Sequence, residues 1–241
     1  MGGMDEGKVA VITGATGGIG AAVAEALSVA GYRLVLSGRS AEKLKSLAAK
    51  LGTPSVTVAG DFQNAAIPAA LLSAAIENFG RCDVCFNNGG LLEVGSVDAI
   101  DIERVCEMVR VNVEGAFRVA YVFLKHFVEQ KTGHLVNTSS ILGRKVRPTA
   151  GAYAGTKYAI EALSEASRME LSKTDVQVSC IEPGLVRTGL HSRWEVPPSE
   201  SMGIAEPLTP GDVARMVLFI LEQPPHVRIP QLMILPKGHE I

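Results

Sequence analysis

Tyr153 and Lys157 lie four residues apart, a spacing that places two side chains on the same face of a helix. A free phenol has a pKa of about 10 and exchanges protons poorly at neutral pH, but a nearby positive charge favours its anion. We therefore expect Lys157 to lower the pKa of Tyr153 and to make Tyr153 a general acid and base. A Tyr and a Lys at the surface of an amphipathic helix would have the same spacing, so the pair needs support from other motifs.

A glycine-rich segment, Thr13-Gly14-Ala15-Thr16-Gly17-Gly18-Ile19-Gly20, follows the first apolar run and opens a helical pattern. Glycines allow the backbone to turn sharply and approach a pyrophosphate, and a helix N-terminus offers unpaired N–H groups. A glycine-rich turn without a ligand is the simpler alternative. The strand before the segment and the helix after it favour a dinucleotide site.

The residues at the end of the second apolar run indicate whether the cofactor is NAD or NADP. NAD-specific folds place an acidic residue there to bind the ribose 2′-hydroxyl, whereas a nearby Arg accommodates a 2′-phosphate. Gly38 occupies the acidic position and Arg39 follows it, while the glycine loop carries Thr16 and Gly17 and no second basic residue. We expect NADP(H) as the cofactor, with NAD less favoured.

Short apolar runs alternate with longer helical patterns along the chain, which is typical of βαβ units on a parallel sheet. We predict an α/β fold, a single-domain Rossmann fold over residues 1–241 with a doubly wound parallel sheet of about seven strands and helices on both faces. The predicted strands are Lys8–Thr13, Arg33–Ser37, Ser55–Ala59, Asp83–Asn87, His134–Thr138, Gln177–Ile181 and Gln231–Leu235. The predicted helices are Gly18–Ala30, Ala41–Leu51, Ala65–Phe79, Val111–Gln130, Ala150–Lys173 and one that begins at Thr209-Pro210, with Gly31, Gly52 and Gly80 as left-handed caps of the first three.

The segment Gly189–Pro207 has no clear period and contains adjacent prolines. Long irregular segments in compact domains are usually functional or disordered, so we predict a substrate lid at about residues 189–207. His191 and Trp194 could line the pocket beneath it or pack within the lid.

Composition narrows the class of partner. The chain has 241 residues, 23 basic against 25 acidic ones and a net charge of −2, which argues against nucleic acid or a membrane surface as a partner. No secretory signal or membrane span is evident, so we expect a cytoplasmic protein with reduced thiols. The four cysteines, Cys82, Cys85, Cys106 and Cys180, are expected to pack as core residues rather than to bind a metal.

The spacing of Gly14, Gly18 and Gly20 behind Thr13 resembles the short-chain dehydrogenase/reductase family. Other motifs of that family follow in the same order, namely Asn87-Asn88-Gly89-Gly90, Asn112, Ser140 at the end of Val136-Asn137-Thr138-Ser139-Ser140, the Tyr153-x-x-x-Lys157 pair, Pro183-Gly184 and Thr188. Together they identify the chain as a member of this family.

The resemblance implies roles for individual residues. Ser140, thirteen residues before Tyr153, would hydrogen-bond the substrate oxygen, whereas Ser139 would satisfy backbone at a strand end. Asn112 would use its backbone to help hold a water that links Lys157 to solvent. The catalytic set is then Asn112, Ser140, Tyr153 and Lys157, and the cofactor set is Gly14, Thr16, Gly18, Ile19, Gly20, Arg39, Asp61, Phe62, Asn88, Tyr153, Lys157, Pro183, Gly184, Val186 and Thr188.

The implied activity is hydride transfer between NADP(H) and a small carbonyl or alcohol substrate. The end of the chain, Leu232–Lys237, resembles the branch of NADP-dependent 3-hydroxy-acid and serine dehydrogenases. A 3-oxoacyl-acyl-carrier-protein reductase is an alternative, for which Arg144, Lys145 and Arg147 would form a basic patch. A nucleotide-binding sensor or scaffold without turnover is a further alternative.

Family members usually pair their long helices, so a homodimer or homotetramer is expected. An apolar stripe of Phe117, Tyr121, Leu124 and Val128 agrees with this, although core packing would explain it equally well.

Overall fold

A computed structural model of the chain describes residues 7–192 and 198–240. Seven strands in these residues form one parallel sheet in the order β3-β2-β1-β4-β5-β6-β7. They are β1 Val9–Ile12, β2 Arg33–Gly38, β3 Ser55–Ala59, β4 Val84–Asn87, β5 Gly133–Thr138, β6 Val176–Pro183 and β7 Gln231–Ile234. The predicted fold class is confirmed, and each predicted strand is present within two residues at either end.

The sheet is covered on both faces. In β1, Ala10 and Ile12 belong to one hydrophobic cluster and Val9 and Val11 to the other, and all four side chains are fully buried. A strand buried on both faces needs apolar residues at every position, which explains why the runs are continuous rather than alternating.

Helices form the two outer layers. Those contributing to the first cluster are α1 Gly18–Val29, α2 Ala41–Ala48 and α8 Pro210–Leu221. Those contributing to the second are α3 Ile67–Phe79, α5 Ala116–Gln130 and α6 Gly151–Glu170. Two shorter helices, α4 Ile102–Val109 and α7 Pro198–Ser201, complete the set in the described residues. Phe123 and Phe127 of α5 are fully buried, and their rings lie 6.1 Å apart.

The helix predicted over Val111–Gln130 is wrong at its start. A π-helical turn over Arg110–Gly115 separates α5 from α4. Asp101 is the N-cap of α4, and its carboxylate accepts the N–H of Arg104 at 3.1 Å. Gly115, the last residue of this turn, packs closely against Phe62, since a Cβ there would lie 2.9 Å from the backbone oxygen of Phe62. Such π-turns occur frequently at functional sites.

Other helix ends also differ from the prediction. Helix α2 ends at Ala48 rather than Leu51, because the N–H groups of Lys50 and Leu51 turn back to the carbonyls of Leu47 and Ala48. Gly52 is therefore not a left-handed cap, whereas Gly31 (φ +85°) and Gly80 (φ +76°) are left-handed as predicted. Helix α3 begins at Ile67 rather than Ala65, after a turn closed by Asn64, and α6 spans Gly151–Glu170 rather than Ala150–Lys173.

The start of α8 was predicted correctly. Thr209 and Asp212 form a reciprocal capping box, with Pro210 in the first turn. In the preceding segment, the described residues include a 3₁₀ turn over Gly189–His191 and α7, so the segment is less irregular than predicted. Residues 193–197, including Trp194, lie outside the described ranges, and the lid stays a prediction.

Cys82, Cys85 and Cys180 are buried and Cys106 is half-buried, as expected of core thiols, and burial raises the pKa of the Cys82 thiol far above its usual range. Residues 7–192 and 198–240 contain no group of three or more His, Cys, Asp or Glu that could hold a metal ion. None of the helices described is both long and apolar enough to cross a membrane.

Candidate active site

A cleft with a volume of about 1080 Å³ opens at the carboxyl ends of β1, β4, β5 and β6. The chain runs from β1 outward to β2 and β3, then returns to place β4 on the other side of β1. This change of direction leaves a crevice between the two loops that follow β1 and β4, which is where open α/β sheets bind ligands.

The two loops are fastened to each other through Thr13. Its Oγ1 accepts the N–H groups of Asn88 at 2.8 Å and Gly89 at 2.9 Å. Gly14 has φ +63°, and a Cβ there would lie 2.9 Å from the Cα of Gly89. A Cβ at Gly20 would lie 2.2 Å from the oxygen of Gly14, so the turn can close only on a glycine.

The N-terminus of α1 lies open to this cleft. Gly17 is its N-cap residue and no side chain caps it, so its first N–H groups are available to an anion. Gly18 and Ile19 line the cleft, and a Cβ at Gly18 would lie 2.9 Å from the Cγ2 of Thr188 on the opposite wall. Gly14, Gly17, Gly18 and Gly20 together form a glycine cradle, which fits the pyrophosphate of a dinucleotide.

Residues of the predicted adenosine side surround one end of the cleft. Arg39 is exposed there, and Lys43, which the sequence did not single out, lines the cleft beside it. Asp61 accepts the N–H of Gln63 at 2.9 Å, and the Phe62 ring packs where a side chain at Gly89 would otherwise lie.

Tyr153 and Lys157 of α6 lie at the other end of the cleft, and both are buried. The Nζ of Lys157 donates to the backbone oxygen of Thr138 at 2.8 Å and lies 5.7 Å from the centre of the Tyr153 ring. The helical spacing thus brings the two groups together as predicted.

The electrostatics of the pair differ from the expectation. Burial raises the pKa of Tyr153 to about 12, although a hydrogen bond with Ser140 and the positive charge of Arg147 act to lower it. Burial also lowers the pKa of Lys157 to about 8. The expected lowering of the Tyr153 pKa by Lys157 is therefore wrong for this structure, because removal from water outweighs the favourable charges.

Ser140 is positioned by the end of β5. Its Oγ accepts the N–H of Leu142 at 3.1 Å at the start of a 3₁₀ turn, and the side chain is hydrogen-bonded to Tyr153. Ser139 does not satisfy backbone with its hydroxyl as expected: its N–H donates to Ile181, but its buried Oγ has no hydrogen-bond partner among the described residues.

Asn112 is buried in the π-helical turn and uses its side chain. Its Oδ1 accepts the N–H of Leu91 at 2.7 Å, and its Nδ2 donates to the oxygen of Leu91 at 2.8 Å and to Thr156 at 3.2 Å. Asn112 therefore joins the loop after β4 to the helix that carries Tyr153.

The loop after β6 forms the remaining wall. Pro183, Gly184, Val186 and Thr188 all line the cleft, and Thr188 caps the 3₁₀ turn through the N–H of Leu190. Sequence reasoning missed His239, which packs against Gly184: a Cβ at Gly184 would lie 2.5 Å from its Nδ1. The glycine beside Pro183 was the available signal, but nothing in the sequence indicates which residue approaches it.

Arg144, Lys145 and Arg147 do not form one basic patch. Arg144 points inward, where it pairs with the buried carboxylates of Glu161 and Glu182 at 3.2 Å each. Lys145 and Arg147 both line the cleft, and Lys145 is exposed.

Comparison with known proteins agrees with this architecture. The short chain dehydrogenase family model matches residues 8–197. An uncharacterized oxidoreductase of Staphylococcus aureus is 34% identical over 230 residues, covering 95% of this chain and 97% of its own. The structure of an alcohol dehydrogenase from the archaeon Thermococcus sibiricus, complexed with 5-hydroxy-NADP, is 31% identical with a TM-score of 0.86, covering 97% of this chain and 98% of its own. The closed form of a serine dehydrogenase complexed with NADP⁺ is 27% identical with a TM-score of 0.85, covering 94% of each chain.

Fold, cleft and sequence matches define a Rossmann-type oxidoreductase with a site for a nicotinamide cofactor. The chain belongs to the short-chain dehydrogenase/reductase family.

Proposed function

We propose that this protein is an NADP(H)-dependent dehydrogenase or reductase that interconverts a small carbonyl compound and its alcohol, with Tyr153 as general acid and base. The observation that carries the proposal is the convergence of Ser140, Tyr153 and Lys157 at one end of a glycine-cradled cleft.

Each side chain has a defined task. The Ser140 hydroxyl donates to the substrate oxygen and holds it beside the phenol. Tyr153 gives a proton to that oxygen in reduction and takes it back in oxidation. Its raised pKa keeps the phenol protonated at neutral pH, which suits the reducing direction. Lys157 holds its ammonium near the phenol through Thr138 and stabilises the phenolate once the proton has left.

The cofactor would lie along the cleft. The glycine cradle would bind its pyrophosphate, Asp61, Phe62 and Asn88 its adenosine side, and residues 183–188 its nicotinamide end, where Lys157 would also hold the ribose. When bound, NADPH supplies the hydride that reaches the carbonyl carbon. Binding and catalysis would thus share one domain, and Asn112 would act by holding the loop at Leu91 against α6.

Charge at the adenosine end supports NADP over NAD. Arg39 and Lys43 line this end, and Gly38 stands where NAD-specific folds have a carboxylate. The similar alcohol and serine dehydrogenase structures hold 5-hydroxy-NADP and NADP⁺.

The test compares Tyr153→Phe with Tyr158→Phe, an exposed tyrosine on the same helix that serves as the matched control. NADPH consumption or NADP⁺ reduction is measured with a panel of ketones, hydroxy acids, sugars, acyl thioesters and alcohols. We expect Tyr153→Phe to lose a factor of about 10²–10⁴ in turnover and to keep cofactor affinity, because a proton donor is lost but the ring remains. Turnover within a few-fold of the parent in Tyr153→Phe contradicts the assigned role.

A further inference from the structure

Arg147 lies in the same cleft as Ser140 and Tyr153, in the loop that joins the 3₁₀ turn to α6. Its positive charge lowers the pKa of Tyr153, so it lies within electrostatic range of the reacting phenol. The proposed mechanism assigns no role to this guanidinium.

One buried hydrogen-bonding group of Arg147 has no partner among the described residues. Its Nε is buried without a partner, and its Nη1 donates to the Sδ of Met202 at 3.2 Å. A thioether is a weak acceptor, whereas a guanidinium offers five donors arranged to bind a planar anion. Among the described residues, no carboxylate pairs with Arg147, in contrast to Arg144, which pairs with two. A buried donor without an acceptor is costly, and a bound anion would remove that cost.

The backbone holds this loop in one unusual conformation. Thr149, two residues after Arg147, has φ +68°, which a β-branched residue rarely adopts. The oxygen of Thr149 accepts the N–H of Gly95 at 2.9 Å and thereby fixes the loop to the opposite wall of the cleft. The loop that carries Arg147 is thus held in place by a backbone hydrogen bond to another segment.

Two histidines share this end of the cleft. Burial and the charge of Arg147 lower the pKa of His191 and of His239, so both rings are neutral at pH 7. The Nδ1 of His239 accepts the N–H of Leu185 at 3.4 Å, which leaves the proton on Nε2 as a donor. A neutral donor beside an arginine assists anion binding without adding charge.

Glu93, Glu107 and Glu240 line the cleft, and none of them forms an ion pair with Arg147. Glu93 is paired with Arg104 at 2.6 Å, and Glu240, next to His239, is exposed to solvent. Arg147 is therefore a cation of this cleft without an ion-pair partner among the described residues.

We propose that Arg147, assisted by His239, binds a carboxylate of the substrate, so that the enzyme acts on hydroxy acids and the corresponding oxo acids. The inference rests on the proposed function and extends it to a substrate class. The carboxylate would lie at Arg147 while the reacting oxygen lies between Ser140 and Tyr153.

The experiment measures binding separately from turnover. Calorimetry is used to titrate 2-hydroxypropanoate, 3-hydroxybutanoate and 4-hydroxybutanoate into enzyme loaded with NADPH, a pairing in which both partners are reduced and no reaction occurs. Two analogues of each acid are titrated in parallel. One is the amide, and the other, called the O-phosphate analogue, keeps the hydroxyl group and carries a phosphate ester in place of the carboxylate. The variants are Arg147→Gln, Arg147→Lys and, as a control that removes one exposed charge away from the cleft, Lys173→Gln.

We expect at least one acid to bind the parent on the order of 10- to 100-fold more tightly than its amide, with Arg147→Gln abolishing that preference. Arg147→Lys should restore part of it, and Lys173→Gln should leave it unchanged. If no acid is preferred over its amide, if the O-phosphate analogue is preferred over the acid, or if Arg147→Gln weakens acid and amide equally, the inference is wrong.

These outcomes are distinct from a failure of the proposed function, which would be an absence of turnover over the whole substrate panel. The pH profile provides a further distinction. If Arg147 acted only on Tyr153, Arg147→Gln would shift the profile equally for acid and amide, because loss of the charge raises the pKa of Tyr153 for both.

Discussion

Lys157 is a buried amine whose positive charge is proposed to act on both the Tyr153 phenolate and the cofactor ribose. Its Nζ is held by the oxygen of Thr138, and burial lowers its pKa to about 8 from an ordinary value near 10.5. The ammonium is therefore the main form at pH 7, and its charge is lost as the pH rises through 8. Any task that depends on that charge, whether towards the phenolate of Tyr153 or towards a cofactor ribose, should weaken over the same interval.

Replacement of Lys157 by Met should reduce both turnover and cofactor affinity, because one ammonium serves both. We expect about 10-fold weaker NADPH binding or more, from the loss of a charged hydrogen bond, and a larger fall in kcat. In the parent, the dissociation constant of NADPH should rise above pH 8, and in Lys157→Met this dependence should be absent. Lys173→Met, at an exposed position after the same helix, is the control. A change in only one of the two quantities would refute the dual role.

Arg39 is the residue on which cofactor choice is predicted to depend. Arg39→Gln should lower kcat/KM with NADP by about 10- to 100-fold and leave kcat/KM with NAD nearly unchanged, because a charge-assisted bond to the 2′-phosphate is lost. Gly38→Asp is the less suitable test, since a Cβ at Gly38 would lie 2.9 Å from the Oγ1 of Thr16 and would disturb the loop as well. Lys45→Gln removes an exposed charge from α2 as a control. Equal efficiency with NAD and NADP in the parent would show that Arg39 does not bind the phosphate.

The strands and helix ends that are determined by neighbouring residues could be predicted from the sequence. The strands were evident because burial on both faces leaves continuous apolar runs, and the start of α8 was evident because Thr209, Pro210 and Asp212 act within one turn. The left-handed residues Gly31 and Gly80 were correctly predicted for the same reason.

Features set by distant contacts could not be predicted in the same way. The π-helical turn brings Asn112 against Leu91, 21 residues away in sequence, and Gly115 against Phe62, which is farther away still. The raised pKa of Tyr153 depends on how deeply α6 is buried, which a spacing of four residues does not reveal. Sequence motifs thus identified the members of the candidate site, whereas their electrostatics required the fold.

The pairing of β5 with β6 includes a histidine that should affect stability in acid. His134 donates from Nε2 to the Oγ of Ser179 at 2.8 Å, because Ser179 uses its own proton on the oxygen of Ile229. Burial, with the charges of Arg228 and Lys8, lowers the pKa of His134 to about 3. The unfolded chain binds a proton at about pH 6.5, where the folded protein does not, so stability is lost as the pH falls below that value.

We therefore expect His134 to make the unfolding free energy fall by about 1.4 kcal/mol per pH unit between about pH 6 and 4. Urea unfolding of the parent and of His134→Gln at several pH values measures this contribution as the difference in slope, since the carboxylates titrate alike in both proteins. Parallel slopes would mean that His134 is protonated in the folded state.

For the whole molecule, the arrangement of layers explains where the cleft and a partner subunit can lie. The parallel sheet places all strand ends that carry site residues at one edge, and the cleft lies at that edge. The outer faces of the helices therefore remain available for contact with a partner subunit. On the layer formed by α5 and α6, several large apolar side chains are exposed, namely Tyr121, Val128, Tyr158 and Met169. The apolar stripe predicted on α5 is divided, since Leu124 is only 6% exposed and packs into the core.

The exposed part of that stripe makes assembly testable. We predict a homodimer or homotetramer that pairs α5 and α6 with their copies, and Tyr121→Glu should weaken it by 10-fold or more, because a carboxylate would be buried without a partner. Val29→Glu places the same charge on α1, on the opposite layer, where Val29 is 92% exposed, and should leave assembly unchanged. Light scattering at micromolar concentration measures the mass of each protein, and circular dichroism checks that both variants remain folded. A monomeric parent, or equal effects of the two substitutions, would exclude α5 as the interface.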